Sequence, residues 1–383
     1  MNRFFTKKTL LMFLFSLLFG VTQLNAQQYK ISGYFQPQMQ INEANDNGYL
    51  FGVRRGRMKF EFNKDIVKAD ISLDVTEKGI AIKGVSLLIK EPFWDIFSFR
   101  AGIFSRPFGY EVGLSNSLRE SPERALITQK LFPDEQDLGV MLSVGAPKNT
   151  LLHGLKLDAG LFSGNGIRLD DDHRVDFIGH LYYKKSFENI NFGIGTSLYR
   201  GSTNNADSSL FTVENGKWNE TKVNPNQKLR RQYIGFDGQF ELKSVIGKTK
   251  LSGEYVFGKQ PSQSSDFLAP KGNTYSIDKP FSFNRKFMGG YIAFVQSIAQ
   301  LPLSAIVKYS WLDPNTELKG DEIYNKTDLQ LSTIGFGLLW DINKDLKLTA
   351  YYEVNQNEKT ANVKSYDKDV KDNGFTLRLQ YVF

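Results

Sequence analysis

Cysteine is absent from all 383 residues, so neither a disulfide framework nor a thiolate metal site holds this chain together. Histidine is nearly absent: His153, His173 and His180 are the whole complement, and their spacing fits no metal-ligand motif. Only one long apolar run occurs, Leu10 to Val21, and the mean hydropathy is negative, which excludes a bundle of membrane-crossing helices. No glycine-rich phosphate cradle, Ser-His-Asp arrangement or paired-carboxylate signature stands out, so the reading calls for no cofactor, no metal and no nucleic acid. A closed hydrogen-bonded sheet remains as the source of stability.

The single apolar run follows Arg3, Lys7 and Lys8 and is followed by Leu24-Asn25-Ala26. It is shorter than the ~20 residues a helix needs to cross a bilayer, so residues 1–26 read as a secretory signal peptide cleaved near Ala26. Removing it takes away three basic residues and no acidic one, which lowers the formal charge from +7 to +4. Residues 27–383 show no linker or composition break and read as one domain.

What the chain does have is glycine, 33 residues of it, together with aromatics at 14% and sustained alternation. In the last stretch Phe375, Leu377, Leu379, Tyr381 and Phe383 share one face, and Thr376, Arg378, Gln380 and Val382 share the other. Such a segment has either a lipid face and a water face, or a core face and a solvent face. The terminal Phe favours the first, because outer-membrane barrels carry aromatic girdles at their rims. Alternation and turn chemistry together mark sixteen candidate strands, from 29–40 and 51–63 to 346–357 and 371–383. Short turns such as Asn63-Lys64-Asp65 and Asn343-Lys344-Asp345 fall on the side of the termini, while the long stretches 105–136, 202–228, 259–284 and 358–370 fall opposite. That sorting predicts an all-β transmembrane antiparallel β-barrel of sixteen strands. Three segments, 174–187, 285–297 and 328–342, are less regular, with Ile178, Met288, Ile292, Leu329 and Leu331 off phase; a bulge or a subunit contact accounts for either pattern.

Within 51–62, Arg55, Arg57, Lys59 and Glu61 share a phase, and a lipid-facing Arg costs about 2–4 kcal/mol at the bilayer midplane. The basic row therefore points to the lumen, joined by Lys68, Lys90 and Arg100, and Arg54 is off phase. The row is either an anion path or a wall neutralised by Glu61, Asp70 and Asp74. The stretch 105–136 is the third long-side loop and carries Phe108, Tyr110, Leu114, Leu118, Leu126, Ile127, Leu131 and Phe132. A loop with that apolar content packs against something, and the inside of a wide barrel is the place to pack. Lys228, Arg230 and Arg231 read as an entry funnel or a lipid-meeting rim.

Arg54-Arg55-Gly56-Arg57, Arg106-Pro107-Phe108-Gly109-Tyr110-Glu111, Glu123-Arg124, Phe132-Pro133 with Asp137-Leu138-Gly139, and the closing strand occur in an order that resembles the phosphate-selective porins of the O and P type. The resemblance implies a trimeric sixteen-stranded barrel with an inward-folded third extracellular loop. It also implies an anion path on Arg106, Arg119 and Arg124 of the loop facing Arg55, Arg57 and Arg100 of the wall, with Lys59 and Lys130 alongside. Where many members place Arg, this chain has Glu135-Gln136. Arg106, Arg119, Arg124 and Lys130 on the loop are thus outnumbered by Glu111, Glu120, Glu123, Asp134 and Glu135. The expectation is a porin in the outer membrane of a diderm bacterium, a homotrimer among lipid and lipopolysaccharide that passes small anions such as phosphate or polyphosphate without turnover chemistry. The alternatives are a barrel enzyme with its site on the long loops, and a surface structural or adhesion barrel without a pore.

Overall fold

The computed structural model describes residues 29–383, apart from 47, 149, 171–172, 206–207, 225–226, 264–265 and 268–280. The expected leader and its cleavage point lie outside the described residues. Nearly everything else is strand. The first half comprises β1 (Tyr29–Asn42), β2 (Tyr49–Lys64), β3 (Val67–Thr76), β4 (Gly79–Lys90), β5 (Phe97–Ser105), β6 (Gln136–Gly145), β7 (Leu155–Phe162), β8 (Asp176–Ser186) and β9 (Ile190–Asn204). After β10 (Ser209–Glu214) and β11 (Lys217–Lys222) come β12 (Lys228–Ser244), β13 (Gly247–Gln263), β14 (Phe281–Ser297), β15 (Leu303–Asp313), β16 (Leu331–Asp341), β17 (Leu346–Asn357) and β18 (Gly374–Val382). One short helix, α1 (Leu126–Leu131), lies in the loop between β5 and β6.

β18 pairs antiparallel with β1, and Gly33 and Phe383 exchange both backbone hydrogen bonds at 3.0 Å, so the sheet closes on itself. Sixteen strands make the wall; β10 and β11 instead pair with each other as a hairpin that touches β14 at Phe211 and Phe283. The sixteen candidate strands correspond in order to the sixteen of the wall, and the even number places Tyr29 and Phe383 at the same rim. The hairpin was hidden inside the expected loop 202–228. Its turn is Asn215-Gly216, both residues at positive φ (53° and 71°), the two-residue turn that suits the twist of a hairpin.

The outer face is apolar all round. Ile71, Leu87, Phe99, Leu142, Leu181, Phe236, Phe294, Phe336 and Leu379 are all exposed on successive parts of the wall. A monomeric soluble protein does not carry so continuous an apolar belt, which excludes the reading of core and solvent faces. At the short-turn rim Phe383 stacks on Phe35 at 5.5 Å and Tyr29 meets Phe62 edge-on at 5.2 Å, while Tyr309 and Trp311 stack at 5.7 Å toward the other end. The inner phase of β18, Thr376, Arg378 and Gln380, is buried, matching its alternation.

The irregular strands have a different cause from the two considered. Ile178 is fully buried on the inner face of β8, and Phe287, Tyr291 and Ala293 are buried on the inner phase of β14, with Ile292 exposed on the outer one. Leu329 precedes β16 and is buried in a loop cluster with Val213, Leu318 and Ile323, while Leu331 opens β16, partly buried. Apolar residues occupy both faces here because the inner face also packs, against the loop between β5 and β6.

Candidate functional site

Residues 106–135 have too much apolar surface to stand in water, and they bury it against the inner phase of β8, β9 and β12–β15. Phe108, Val112, Ile127, Leu131 and Phe132 form one buried cluster with Ile178, Tyr199, Tyr233, Val256, Phe287 and Tyr291. Phe132 lies 5.0 Å from Phe108 and 6.2 Å from both Tyr199 and Tyr233, a set of aromatic contacts that adds to the area buried. Two glycines make room. A Cβ on Gly235 would lie 2.9 Å from the Phe108 ring, and one on Gly289 would lie 3.1 Å from Ile127.

Polar anchors hold the rest of the loop. On one side Gly109 N–H donates to Ser197 Oγ at 2.8 Å, Tyr110 N–H to Glu254 at 2.9 Å, and Lys308 donates to Glu111 at 2.8 Å. Lys250, on the same strand as Glu254, pairs with Glu120 at 2.8 Å, and on the other side Gln36 reaches Asn116 O and Gln380 reaches Ser117 O at 3.0 Å. The strongest anchor is Glu123. Its carboxylate receives Arg54 at 2.8 Å, Arg55 at 2.8 Å and Arg378 at 2.7 Å. Burial raises the Glu123 carboxyl pKa, but Arg55, Arg378 and Arg54 together hold it well below the usual carboxylate range.

Arg54 reaches that site by a device that alternation cannot show. Gln36 faces Arg55 while Pro37 faces Val53, so Arg54 is the extra residue of a β-bulge, and consecutive arginines both point inward. This bulge is the reason that Arg54 falls off phase in the sequence. Arg378 is likewise more than a lumen-facing bystander, since it also donates to Pro122 O and to Gln38.

Space remains on the side of β1–β5. A cavity of about 350 Å³ is lined by Arg57, Lys59, Lys83, Arg100, Asp70 and Glu135, with the loop backbone 112–117 opposite. A second of about 530 Å³ opens toward the short connections after β1 and β3, lined by Gln38, Gln40, Arg54, Asp74, Glu77 and Lys83. Elsewhere the long-loop end is covered, because Val213 of the hairpin packs with Leu318, Ile323 and Leu329, and Arg285 is buried against Asp328 at 2.7 Å.

The expected site residues divide into three groups. Arg57, Lys59 and Arg100 line the cavity, each beside an acid: Asp74 at 3.8 Å, Glu61 at 3.0 Å and Asp70 at 2.8 Å. Arg55, Arg106, Arg119 and Arg124 are buried in the loop's own architecture. Arg106 pairs with Asp137 at 2.9 Å, Arg124 with Glu135, and Arg119 donates to Ser121 O and Pro122 O at 3.2 and 3.1 Å. The third group lies away from the passage. Lys130 pairs with Asp266 at 3.4 Å, Arg231 is buried against Asp176 at 2.7 Å, and Lys228 and Arg230 fall on the exposed outward phase of β12. Of the funnel trio only Arg231 points inward. Sequence reasoning missed Glu123, Lys308 and Gln36 as anchors, and Lys83 as a lining residue.

Solved structures that superpose on the chain include porins and outer-membrane proteins. Over 93% of this chain and 99% of the other, the anion-selective porin from Comamonas acidovorans superposes with a TM-score of 0.59 at 12% identity. OprB of Pseudomonas putida gives 0.61 at 7% identity over 96% and 97% of the two chains. The trimer form of OmpT from Vibrio cholerae gives 0.53 at 12% identity over 93% and 99%. What they share with this chain is the fold, a closed antiparallel β-barrel. No family model and no curated protein sequence matches the chain.

Proposed function

We propose that the protein is an outer-membrane porin: a passive passage for small hydrophilic solutes, with the loop 106–135 lying across the lumen and narrowing it. The observation that carries this reading is a cavity between that loop and the β1–β5 wall, continued by a second on the same wall toward the connections after β1 and β3, inside a closed barrel with an apolar outer belt. The short-turn rim, with its stacked Phe383, faces the periplasm, and the long loops face outward among lipopolysaccharide. The trimer form of the Vibrio cholerae neighbour supports a homotrimer.

Charge preference is for anions, and modest. Arg57, Lys59, Lys83 and Arg100 outnumber Asp70 and Glu135 along the narrower cavity. A phosphate ladder has less support, because Arg55, Arg106 and Arg124 are committed to Glu123, Asp137 and Glu135 and present few free guanidinium donors to a solute. Liposomes loaded with the purified protein should swell in monosaccharides and progressively less in larger oligosaccharides. Absence of swelling in any sugar would overturn the porin reading in favour of a structural or enzymatic barrel.

A further inference from the structure

Alternation forbids two neighbouring residues of a strand from sharing a face unless a bulge intervenes. The β3–β4 ladder breaks at one point: Ser72 faces Gly84 while Leu73 faces Ile82, leaving Lys83 as the extra residue. This second bulge, like the one at Arg54, adds a cation to the lumen. Lys83 lines both cavities and is the one residue that the two linings share. A solute moving from the wider cavity to the narrower one passes it.

Four of the other five cations of these linings are spoken for. Arg54 sits on Glu123 at 2.8 Å, Lys59 on Glu61 at 3.0 Å, Arg100 on Asp70 at 2.8 Å, and Arg57 beside Asp74 at 3.8 Å. Among the described residues Lys83 has no ion-pair partner; Lys78 has none either, but it lies on the exposed turn at the mouth. Across the narrower cavity the loop presents the neutral Ser115, Asn116 and Ser117, and its one acid there, Glu135, is paired with Arg124. An unpaired ammonium acts over about 10 Å at 0.1 M salt, so its field spans a narrow passage. Lysine is a compact, hydrated point charge on a mobile stem, suited to a weak site that an ion can leave.

We propose that Lys83 is the residue that sets the charge preference of this pore, and that it favours small inorganic anions and carboxylates. The assignment rests on the porin reading above. The chain's lack of cysteine makes the test direct. Lys83→Gln, Lys83→Cys and, as a control away from the passage, Lys228→Gln are reconstituted in planar bilayers, and reversal potentials are read under a potassium chloride gradient. Wild type and all variants should conduct. One unit charge about 6 Å from an ion in a watery lumen changes its local concentration about threefold, so Lys83→Gln should lower the chloride to potassium permeability ratio about threefold. Lys228→Gln, on the outward phase of β12, should leave it unchanged. Adding a cationic thiosulfonate reagent to Lys83→Cys should restore the wild-type ratio in the same membrane, and an anionic reagent should push it toward potassium. A Lys83→Gln channel that conducts with the wild-type ratio, or a Lys83→Cys ratio that ignores the sign of the reagent, would remove Lys83 from the role and leave the porin standing. Silence of the wild type would instead remove the porin.

Discussion

Glu123→Gln should raise the chloride to potassium permeability ratio about threefold. The carboxylate neutralises the cluster of Arg54, Arg55 and Arg378, and Arg54 also lines the wider cavity. Removing the negative charge leaves those guanidiniums in place and adds one net positive charge to the lumen, worth about 0.7 kcal/mol on an anion ~6 Å away in water. The same substitution weakens the loop's hold on β2 and β18, since breaking a buried pair costs about 3–5 kcal/mol. Acid should mimic it. The Glu123 pKa is depressed in the folded protein, so the stabilisation it gives is complete above the ordinary glutamate value of about 4.3 and is lost only as pH falls through the lower folded value. Wild-type channels should therefore keep their behaviour down to the usual carboxylate range and shift toward the Glu123→Gln phenotype below it. Planar-bilayer reversal potentials across a pH series check both claims; an unchanged or lower ratio in Glu123→Gln would show that this cluster does not feel the permeating ion.

Phe132→Ala is the second substitution with a large expected effect. Phe132 is 2% exposed and joins Phe108, Tyr199 and Tyr233 across the seam between the loop and the wall. Truncating a buried Phe costs about 3–5 kcal/mol, and here the loss falls on the seam and leaves the hydrogen-bonded wall untouched. The barrel should still close, with its strand signal in circular dichroism intact. Single channels should show larger conductance and added flicker, because the loop loses its seat against β9 and β12. A Phe132→Ala channel with wild-type conductance and noise would mean that the loop is held by its polar anchors alone.

Much of the wall was legible in the sequence because a barrel strand writes itself in period two, and β17 and β18 show this plainly. The long connections sorted to one rim, which gave the parity and hence the shared side of the termini. Three features escaped for physical reasons. Bulges at Arg54 and Lys83 shift the period by one residue, so a cation that points inward looks misplaced or goes unnoticed. The inner face of β8 and β14 is apolar because the loop covers it, and a one-dimensional pattern cannot tell a lipid-facing Ile from one buried inside, such as Ile178. The basic residues of the loop were legible as charges but not as pairs: Arg106 and Asp137 are far enough apart in sequence that only the fold joins them at 2.9 Å. The Asn215-Gly216 turn, by contrast, is a local hairpin signal within the expected loop 202–228.

Single-channel recording of the purified wild-type protein in a planar bilayer, with reversal potential taken under a potassium chloride gradient, tests the account where it is most exposed. An open passage along the β1–β5 wall predicts steady ohmic steps and a reversal potential of the sign set by chloride. A membrane that holds the folded barrel and stays silent, or steps whose reversal is set by potassium, would contradict it.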